Sequence, residues 1–269
     1  VRDLVRKSSS QQAIAALGRA LAEDKFWAVR REAALAIGTI KTDQALSALL
    51  EAPPDSDSRI RAAVISALGS FDGNQKAIAA VQKAWTADDS YRVGVAVMQA
   101  IARVKAPDAS DILQAGLSRA SYGDFIAQSA LAAMATLPDK RAIPLAIEES
   151  KPGKPSRLRQ TAIQVLGVTG KQDESAFQAV EAAAHDPFGL TRGVAYTTLG
   201  QMGNLKALPV LKEAASSEPD PDLRATASQA IAALTAPPPS SAELLQQIRE
   251  LREKNIELER RLNALEQKH

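Results

Sequence analysis

The chain has 269 residues, of which 45% are hydrophobic and 24% are charged, and this composition is typical of a folded globular protein rather than a disordered one. Its 33 basic and 31 acidic residues leave a formal charge of only +2, which gives no general electrostatic reason to expect nucleic acid or an anionic membrane as a partner. The lack of cysteine excludes disulfides, thiolate catalysis and sulfur-ligated metals, and no apolar run reaches the roughly 18 residues that a membrane-spanning helix requires.

Residues 1–8 are predicted to lead into the first helix. They have neither the long apolar core of a signal peptide nor an initiator methionine, so we expect the chain to be part of a longer protein. Nothing in the sequence marks a compartment. We therefore expect a soluble chain that is either cytoplasmic or exported.

From residue 9 to residue 234 one pattern recurs at a nearly fixed period. The segment VRREAALAIG, from Val29 to Gly38, has six further copies whose starts are 31 to 33 residues apart. The copies begin at Ile60, Val93, Ile126, Leu158, Thr191 and Leu223. Each copy has the apolar spacing of an amphipathic helix, ends in a small residue that would let two helices approach closely, and follows another helical segment. The repeating unit is therefore predicted to be a helix, a turn and a second helix.

Charged residues also recur at the start of the second helix of each unit. Aspartates fall just before most of these helices, and we interpret them first as caps of helix N-termini. The arginine of the first unit recurs in four others, as Arg30, Arg61, Arg159, Arg192 and Arg224. Units three and four have Gly94 and Ala127 instead.

This pattern resembles HEAT repeats over residues 9–234. The resemblance implies an all-α fold, a superhelix of about seven helical hairpins in which each unit buries its apolar face against its neighbours. In the HEAT family an arginine at the place of Arg30 commonly pairs with acidic groups of adjacent units. We therefore interpret Arg30 as a member of a structural ladder rather than as a ligand contact.

Three segments carry a narrower resemblance. They are DKFWAVRREAALAIG, DDSYRVGVAVMQAIARV and the longer run from SYGDFIAQSA to LRQTAIQVLG. They resemble the C-terminal helical-repeat domain of bacterial zinc aminopeptidases of the gluzincin type, relatives of alanyl and puromycin-sensitive aminopeptidase. That domain packs over the catalytic cleft of an upstream peptidase domain. The chain lacks the family's H-E-x-x-H and G-x-M-E-N motifs, and its histidines are His185 and His269, so we expect neither a zinc site nor catalysis here.

Aromatic residues cluster near the starts of the second helices. The candidates for binding a peptide or a protein partner are Phe26, Trp27, Tyr91, Tyr122, Phe125 and Phe188. Equivalent positions of stacked units line up along one edge of a solenoid, so these rings could hold a peptide or dock a neighbouring domain. Burial between units is the alternative, and the sequence does not decide between the two.

The pattern changes after the solenoid. Residues 235–240 contain three prolines and are predicted to be a short stiff linker. Residues 241–269 are predicted to form a coiled coil with a seven-residue apolar repeat. Its seam is Leu244, Ile248, Leu251, Asn255, Leu258, Leu262 and Leu265. Isoleucine at a, leucine at d and one asparagine at a favour a parallel homodimer, and the alternative is a helix that folds back on the solenoid.

We therefore expect a non-catalytic accessory domain of a larger aminopeptidase-like protein, without cofactor or metal, that shapes substrate access and dimerises through its tail. Its partners would be a protein or peptide and the upstream catalytic domain, with neither nucleic acid nor membrane among them. The alternative is a free-standing HEAT scaffold that binds a protein on its concave face. A third interpretation, a HEAT-type lyase acting on a bilin chromophore, has only fold analogy in its support, since no catalytic or pigment-binding feature is present.

Overall fold

The computed structural model describes residues 11–236 and 241–266, without the side chains of residues 241–244, 247 and 262–266. Within this part of the chain the regular structure is helical and no strand forms, which confirms the all-α superhelix. Seven first helices are α1 (Gln11–Glu23), α3 (Asp43–Leu50), α5 (Gln75–Ala87), α7 (Ala109–Ser118), α9 (Ala142–Glu149), α11 (Glu174–Ala183) and α13 (Leu208–Ser217). Seven second helices are α2 (Trp27–Ile40), α4 (Ser58–Leu68), α6 (Tyr91–Arg103), α8 (Phe125–Met134), α10 (Ser156–Thr169), α12 (Gly189–Met202) and α14 (Pro221–Thr235). Short 3₁₀ turns at Tyr122–Asp124 and Leu205–Ala207 precede α8 and α13.

The helices form two layers. Each first helix packs on the second helix of its own hairpin, and successive second helices pack on one another from α2 to α14. Successive first helices contact each other more sparsely. The second helices form one continuous layer along the stack. We call this the second-helix layer.

Small residues at the end of the repeated pattern explain the close spacing. A Cβ atom added to Gly38 would lie 2.8 Å from both Cα and Cβ of Ala67 on the next second helix. At Gly200 the same atom would lie 3.0 Å from Cα and Cβ of Ala230. These distances leave no room for a side chain, so glycine is required where the helix backbones meet. The predicted role of the small residues is confirmed at these positions.

The buried apolar residues of the described chain form two clusters. The first extends from Ile14 to Ala142, and the second begins at Ala127 and ends at Ala230. They overlap in helix α8, where Ile126 and Ala130 belong to the first cluster and Ala127 and Leu131 belong to the second. Helix α8 therefore contributes one face to each half of the solenoid.

Ion pairs connect consecutive units as a ladder. In each of four units the guanidinium Nε lies 2.6 to 2.8 Å from a carboxylate oxygen of the following turn. The pairs are Arg30 with Asp55, Arg61 with Asp88, Arg159 with Asp186 and Arg192 with Glu218. The Nη1 atom of Arg30 also donates to the carbonyl of Asp24 in its own turn, at 2.8 Å, and Arg61 and Arg192 make the same bond to Asp55 and Asp186. Each ladder arginine thus ties its own turn to the next one, as interpreted from the sequence.

The ladder changes where Gly94 and Ala127 replace arginine. A Cβ on Gly94 would lie 2.6 Å from Cδ1 of Ile126, so a larger residue would require the Ile126 side chain to move. Arg119, after helix α7, provides a different connection between units three and four. Its Nη1 and Nη2 atoms donate to the carbonyls of Trp85 and Asp88 at 2.7 and 2.8 Å. Its guanidinium also lies 4.4 Å from the centre of the Trp85 ring.

The interpretation of the aspartates as helix caps needs correction. Asp57 caps α4 and Asp220 caps α14 through side-chain bonds to the backbone. Asp24, Asp88 and Asp186 instead accept the N–H of the residue two positions along, at 2.8 to 2.9 Å. They shape the turn before the helix, and the carboxylates of Asp88 and Asp186 are at the same time acceptors for the ladder arginines.

The tail forms one further helix, α15 (Ser241–Glu266). Its described side chains are all exposed, among them the seam residues Ile248, Leu251, Asn255 and Leu258. The side chains of Leu244, Leu262 and Leu265 lie outside the described part of the chain. None of the helices in residues 11–236 and 241–266 is both long and apolar enough to cross a bilayer.

Candidate functional site

The structure divides the six candidate aromatic residues into three groups. Tyr91, Tyr122 and Phe125 form a trio at the junction of units three and four, with ring centres 6.0 to 6.4 Å apart. The rings of Tyr91 and Phe125 are stacked with an angle of 23° between their planes. Tyr122 is 75% exposed and forms the outer edge of the trio. This geometry leaves an aromatic surface at the rim of the second-helix layer.

The pair Phe26 and Trp27 lies two units away. Their ring centres are 6.1 Å apart in an edge-to-face arrangement. Trp27 packs partly against the core, whereas Phe26 is 59% exposed. The guanidinium of Arg59 lies 3.6 Å from the centre of the Trp27 ring, a short cation–π contact that connects unit one to unit two.

Phe188 stands apart from the other rings. It occupies the N-cap position of α12, its backbone N–H donates to Asp186, and its side chain is 44% exposed. The aromatic residues therefore do not form one continuous line. Trp27, Tyr91 and Phe125 are partly buried, whereas Phe26, Tyr122 and Phe188 are exposed. Neither burial between units nor exposure along one edge therefore describes all six residues.

A groove of about 390 Å³ connects the aromatic trio with the first units. Helices α2, α4, α6 and α8 all contribute to it. Its apolar walls are Leu35, Val95, Tyr91 and Phe125. Small residues of α4 and α6 form its floor, among them Ala62, Ala63 and Ala96. A groove of this volume and lining is in the range of sites that hold a small ligand or a few side chains of a peptide.

The polar lining of the groove is basic. Three arginines line it, Arg31, Arg59 and Arg92, together with Ser66 and Gln99, and none of its lining residues is acidic. Nε of Arg59 donates to both carboxylate oxygens of Asp57 at 3.0 Å, and Nη2 donates to Oδ2 at 2.5 Å. This hydrogen bonding lowers the pKa of Asp57 to about 2. Arg31 pairs with its neighbour Glu32.

Arg92 is the arginine of the groove without a carboxylate partner in the described chain. Its guanidinium lies 5.4 Å from the ring centre of Tyr91. These arginines were not among the residues predicted from the sequence, although a signal was present. Arg59, Arg92 and Phe125 each stand one position before the start of an aligned copy, so they share one register on consecutive second helices.

A second polar centre lies between units six and seven and connects them. The hydroxyl of Tyr196 donates to Oε2 of Glu218 at 2.8 Å, and Nε of Arg192 donates to the same oxygen at 2.8 Å. The hydrogen bond from Arg192 lowers the pKa of Glu218 to about 2, while burial raises the pKa of Tyr196 to about 12. Every buried side-chain nitrogen and oxygen of the described residues has a partner, and no group of three or more His, Asp or Glu among them is placed to hold a metal.

Comparison with known proteins places this geometry in a family. The sequence pattern of HEAT repeats matches residues 1–69, 50–135 and 143–232. No curated protein sequence matches the chain. Among solved structures, human deoxyhypusine hydroxylase in complex with glycerol is similar with 19% identity over 87% of this chain and 88% of that chain, at a TM-score of 0.39. The complex of CpcE and CpcF of phycocyanin lyase from Nostoc sp. is similar with 21% identity over 85% and 84%, at a TM-score of 0.42.

The matched segments cover more than half of the chain and coincide with the helical hairpins of the structure. The chain belongs to the HEAT-repeat family.

Proposed function

We propose that the chain is a non-catalytic scaffold that holds a peptide segment of a protein partner on its second-helix layer. The observation that carries this proposal is the groove beside the aromatic trio, because it crosses four consecutive second helices and reaches Phe125, whose ring centre is 6.0 Å from that of the exposed Tyr122. Exposed aromatic and arginine side chains are the residue types that contribute most to protein recognition. The groove offers them on a rigid surface of packed helices, so little ordering is needed on binding.

Site-specific photo-crosslinking tests the scaffold function. A photoreactive phenylalanine analogue would replace Gln99, which lines the groove on α6, or Gln114, an exposed glutamine on the first helix α7. We expect cross-links to one protein from position 99 and none above background from position 114, identified by mass spectrometry. Equal cross-linking from the two positions, or cross-linking from position 114 alone, would contradict binding on the second-helix layer.

A narrower version places the chain next to a zinc aminopeptidase domain. The three segments that resemble the aminopeptidase C-terminal domain contain Trp27, Tyr91, Tyr122 and Phe125, so the resemblance and the aromatic surface involve the same residues. In this version the groove would contact the far end of the peptidase substrate. An in-frame H-E-x-x-H segment upstream in the gene would support it, and a start codon directly before Val1 would exclude it. Zinc-dependent hydrolysis of aminoacyl substrates by the isolated chain would overturn the non-catalytic assignment.

We further propose that the tail makes the scaffold a parallel homodimer. Support comes from the unbroken helix α15 and from the exposure of Ile248, Leu251 and Leu258 on the predicted seam. An apolar seam of this kind is stabilised when a second copy covers it. A dimer would present two grooves, which raises the apparent affinity for a partner that carries two binding segments.

A further inference from the structure

We propose that the groove selects an acidic peptide segment that carries an aromatic or other apolar side chain beside its carboxylates. This inference rests on the proposed scaffold function and adds the chemistry of the ligand. The overall charge of +2 does not indicate an acidic ligand, because the preference depends on where a few arginines lie and not on the total charge. Arg31, Arg59 and Arg92 line one groove from which acidic side chains are absent.

The arginines are positioned to receive carboxylates. Asp57 and the ring of Trp27 fix the plane of the Arg59 guanidinium, so little side-chain entropy is lost when a ligand binds to it. Arg92 makes no ion pair with a described carboxylate, so its donors are available to an external one. A carboxylate that reaches both arginines would form charge-assisted hydrogen bonds on a surface that excludes part of the water.

The apolar walls add the second requirement. Tyr91 and Phe125 present stacked rings, and Leu35 and Val95 extend the apolar surface along the groove. An aromatic side chain of the ligand can pack against these rings while its neighbouring carboxylates meet the arginines at the rim. The groove therefore favours acidic residues next to an apolar one over a purely acidic run.

A second groove on the same layer provides a contrast. It has a volume of about 340 Å³ and lies on α10, α12 and α14. Its lining includes Leu190, Thr197 and Thr226, and neither an arginine nor a carboxylate is part of it. Of these two grooves, the one on the first four units is lined by arginines, and an acidic peptide is expected to bind there.

Nucleic acid is the competing acidic ligand, and the observations favour the peptide. Nucleic-acid affinity comes chiefly from several phosphate contacts along a basic surface. Here three arginines share one groove of about 390 Å³, and the groove beyond them on the same layer is uncharged. Apolar walls beside a few cations suit a peptide side chain better than a phosphate backbone.

Fluorescence anisotropy on the intact chain tests the inference. The probe is a labelled glutamate-rich peptide with one central phenylalanine, and the control probes replace its glutamates by glutamine or its phenylalanine by alanine. We expect saturable binding of the first probe, and weaker binding of both controls. Arg92→Gln should weaken binding of the first probe about tenfold, the loss expected for one charge-assisted hydrogen bond. Arg157→Gln is the matched control, because Arg157 is exposed, has the same register on α10 and lies outside the groove.

Several results of these experiments would contradict the inference. Binding of the glutamine peptide equal to that of the glutamate peptide, equal effects of the two arginine substitutions, or absence of binding would each overturn the acidic-peptide inference. Displacement of the probe by a single-stranded oligonucleotide at lower concentration than by unlabelled peptide would overturn it in favour of nucleic acid. The photo-crosslinking experiment tests the scaffold function separately. A partner that cross-links at position 99 through a segment without acidic residues would support the scaffold function and contradict only the inference about an acidic ligand.

Discussion

At the scale of single residues, the ladder arginines do more than neutralise a carboxylate. Arg159 is buried, its Nε and Nη2 atoms both lie 2.8 Å from Asp186, and its Nη1 atom donates to the carbonyl of Lys154. One side chain thus satisfies the carboxylate of the next unit and a carbonyl of its own turn. Removing a buried partner of this kind would leave an uncompensated charge, which is why such positions tolerate substitution poorly.

Glu218 predicts an acid-sensitive contribution to stability. Its pKa is lowered to about 2 from an ordinary value of 4.5 by the hydrogen bond from Arg192, so the folded state binds its proton less readily than the unfolded state does. The stabilisation is therefore complete above about pH 4.5 to 5 and is lost as the pH falls toward 2. We expect Glu218→Gln to lower the free energy of unfolding by about 1.5–3 kcal/mol at neutral pH. The difference in unfolding free energy between this variant and the unsubstituted chain should shrink as the pH falls from about 5 toward 2.

Urea unfolding followed by circular dichroism over a pH series measures this effect. Glu213→Gln serves as the control, because Glu213 is on the same hairpin and exposed, so its replacement should change the free energy of unfolding little. A deficit of Glu218→Gln that stays constant from neutral pH to about pH 2.5 would show that the carboxylate does not gain its stability from Arg192.

At the scale of helices, the contact between successive second helices depends on missing side chains. Helix α2 meets α4 at Gly38 and α12 meets α14 at Gly200, each against the backbone of an alanine. Glycine inside a helix lowers intrinsic helix stability by about 1 kcal/mol relative to alanine. Glycine is nevertheless present at these contacts, which means that the packing of the helices stabilises the chain by more than the lost helix stability.

Two identical substitutions separate the local effect from the packing effect. Gly38→Ala places a methyl group 2.8 Å from Cα and Cβ of Ala67, so the helices must move apart, and we expect a loss of about 1–3 kcal/mol in unfolding free energy. Gly18→Ala, in α1, places its methyl group 4.0 Å from Cβ of Ala48 and should stabilise the chain by about 0.5–1 kcal/mol. Denaturant midpoints compare the two variants. Stabilisation by both would mean that α2 and α4 do not approach as closely as described.

The sequence was sufficient to predict the helical hairpins because apolar residues repeat with the period of a helix and the units repeat with a period of their own. The same register identified the recurring arginines, and the resemblance to HEAT repeats implied that Arg30 belongs to a ladder. The cap assignment failed for Asp24, Asp88 and Asp186, since whether an aspartate caps a helix or shapes the preceding turn depends on backbone angles that spacing does not encode. The ladder arginines, whose positions are visible only in three dimensions, also donate to the carboxylates of Asp88 and Asp186.

The candidate site was only partly predictable. The sequence indicated the aromatic residues, and the structure joins Tyr91, Tyr122 and Phe125 but leaves Phe188 separate. The contribution of Arg59 and Arg92 to the same groove depends on how far each second helix is rotated against the next. That rotation follows from packing contacts between units, which a single helical pattern does not contain.

At the scale of the whole molecule, we propose that the tail helix sets how many solenoids act together. The described seam residues Ile248, Leu251, Asn255 and Leu258 of α15 are exposed, and Asn255 is the polar residue at an a position among them. Two asparagines facing each other across a parallel two-stranded interface can hydrogen-bond, whereas other registers and oligomers leave them unpaired. The tail is therefore expected to specify a dimer rather than a larger assembly.

Light scattering over a concentration series tests this expectation. The intact chain should be a dimer, deletion of residues 241–269 should give a monomer that keeps the helical content of the solenoid, and Asn255→Leu should tighten association while admitting higher oligomers. A chain that remains monomeric at high micromolar concentration would show that the tail does not form the predicted interface.

The division of the buried residues within helix α8 has a consequence for synthesis on the ribosome. The first cluster is complete once Ala142 has been made, so the N-terminal half can bury its own apolar residues while the rest of the chain is still being translated. Ala127 and Leu131, on the other face of α8, then present a preformed apolar surface to the emerging helices α9 and α10. The nascent chain can therefore fold in the order of its synthesis, each new hairpin adding to a surface that already exists.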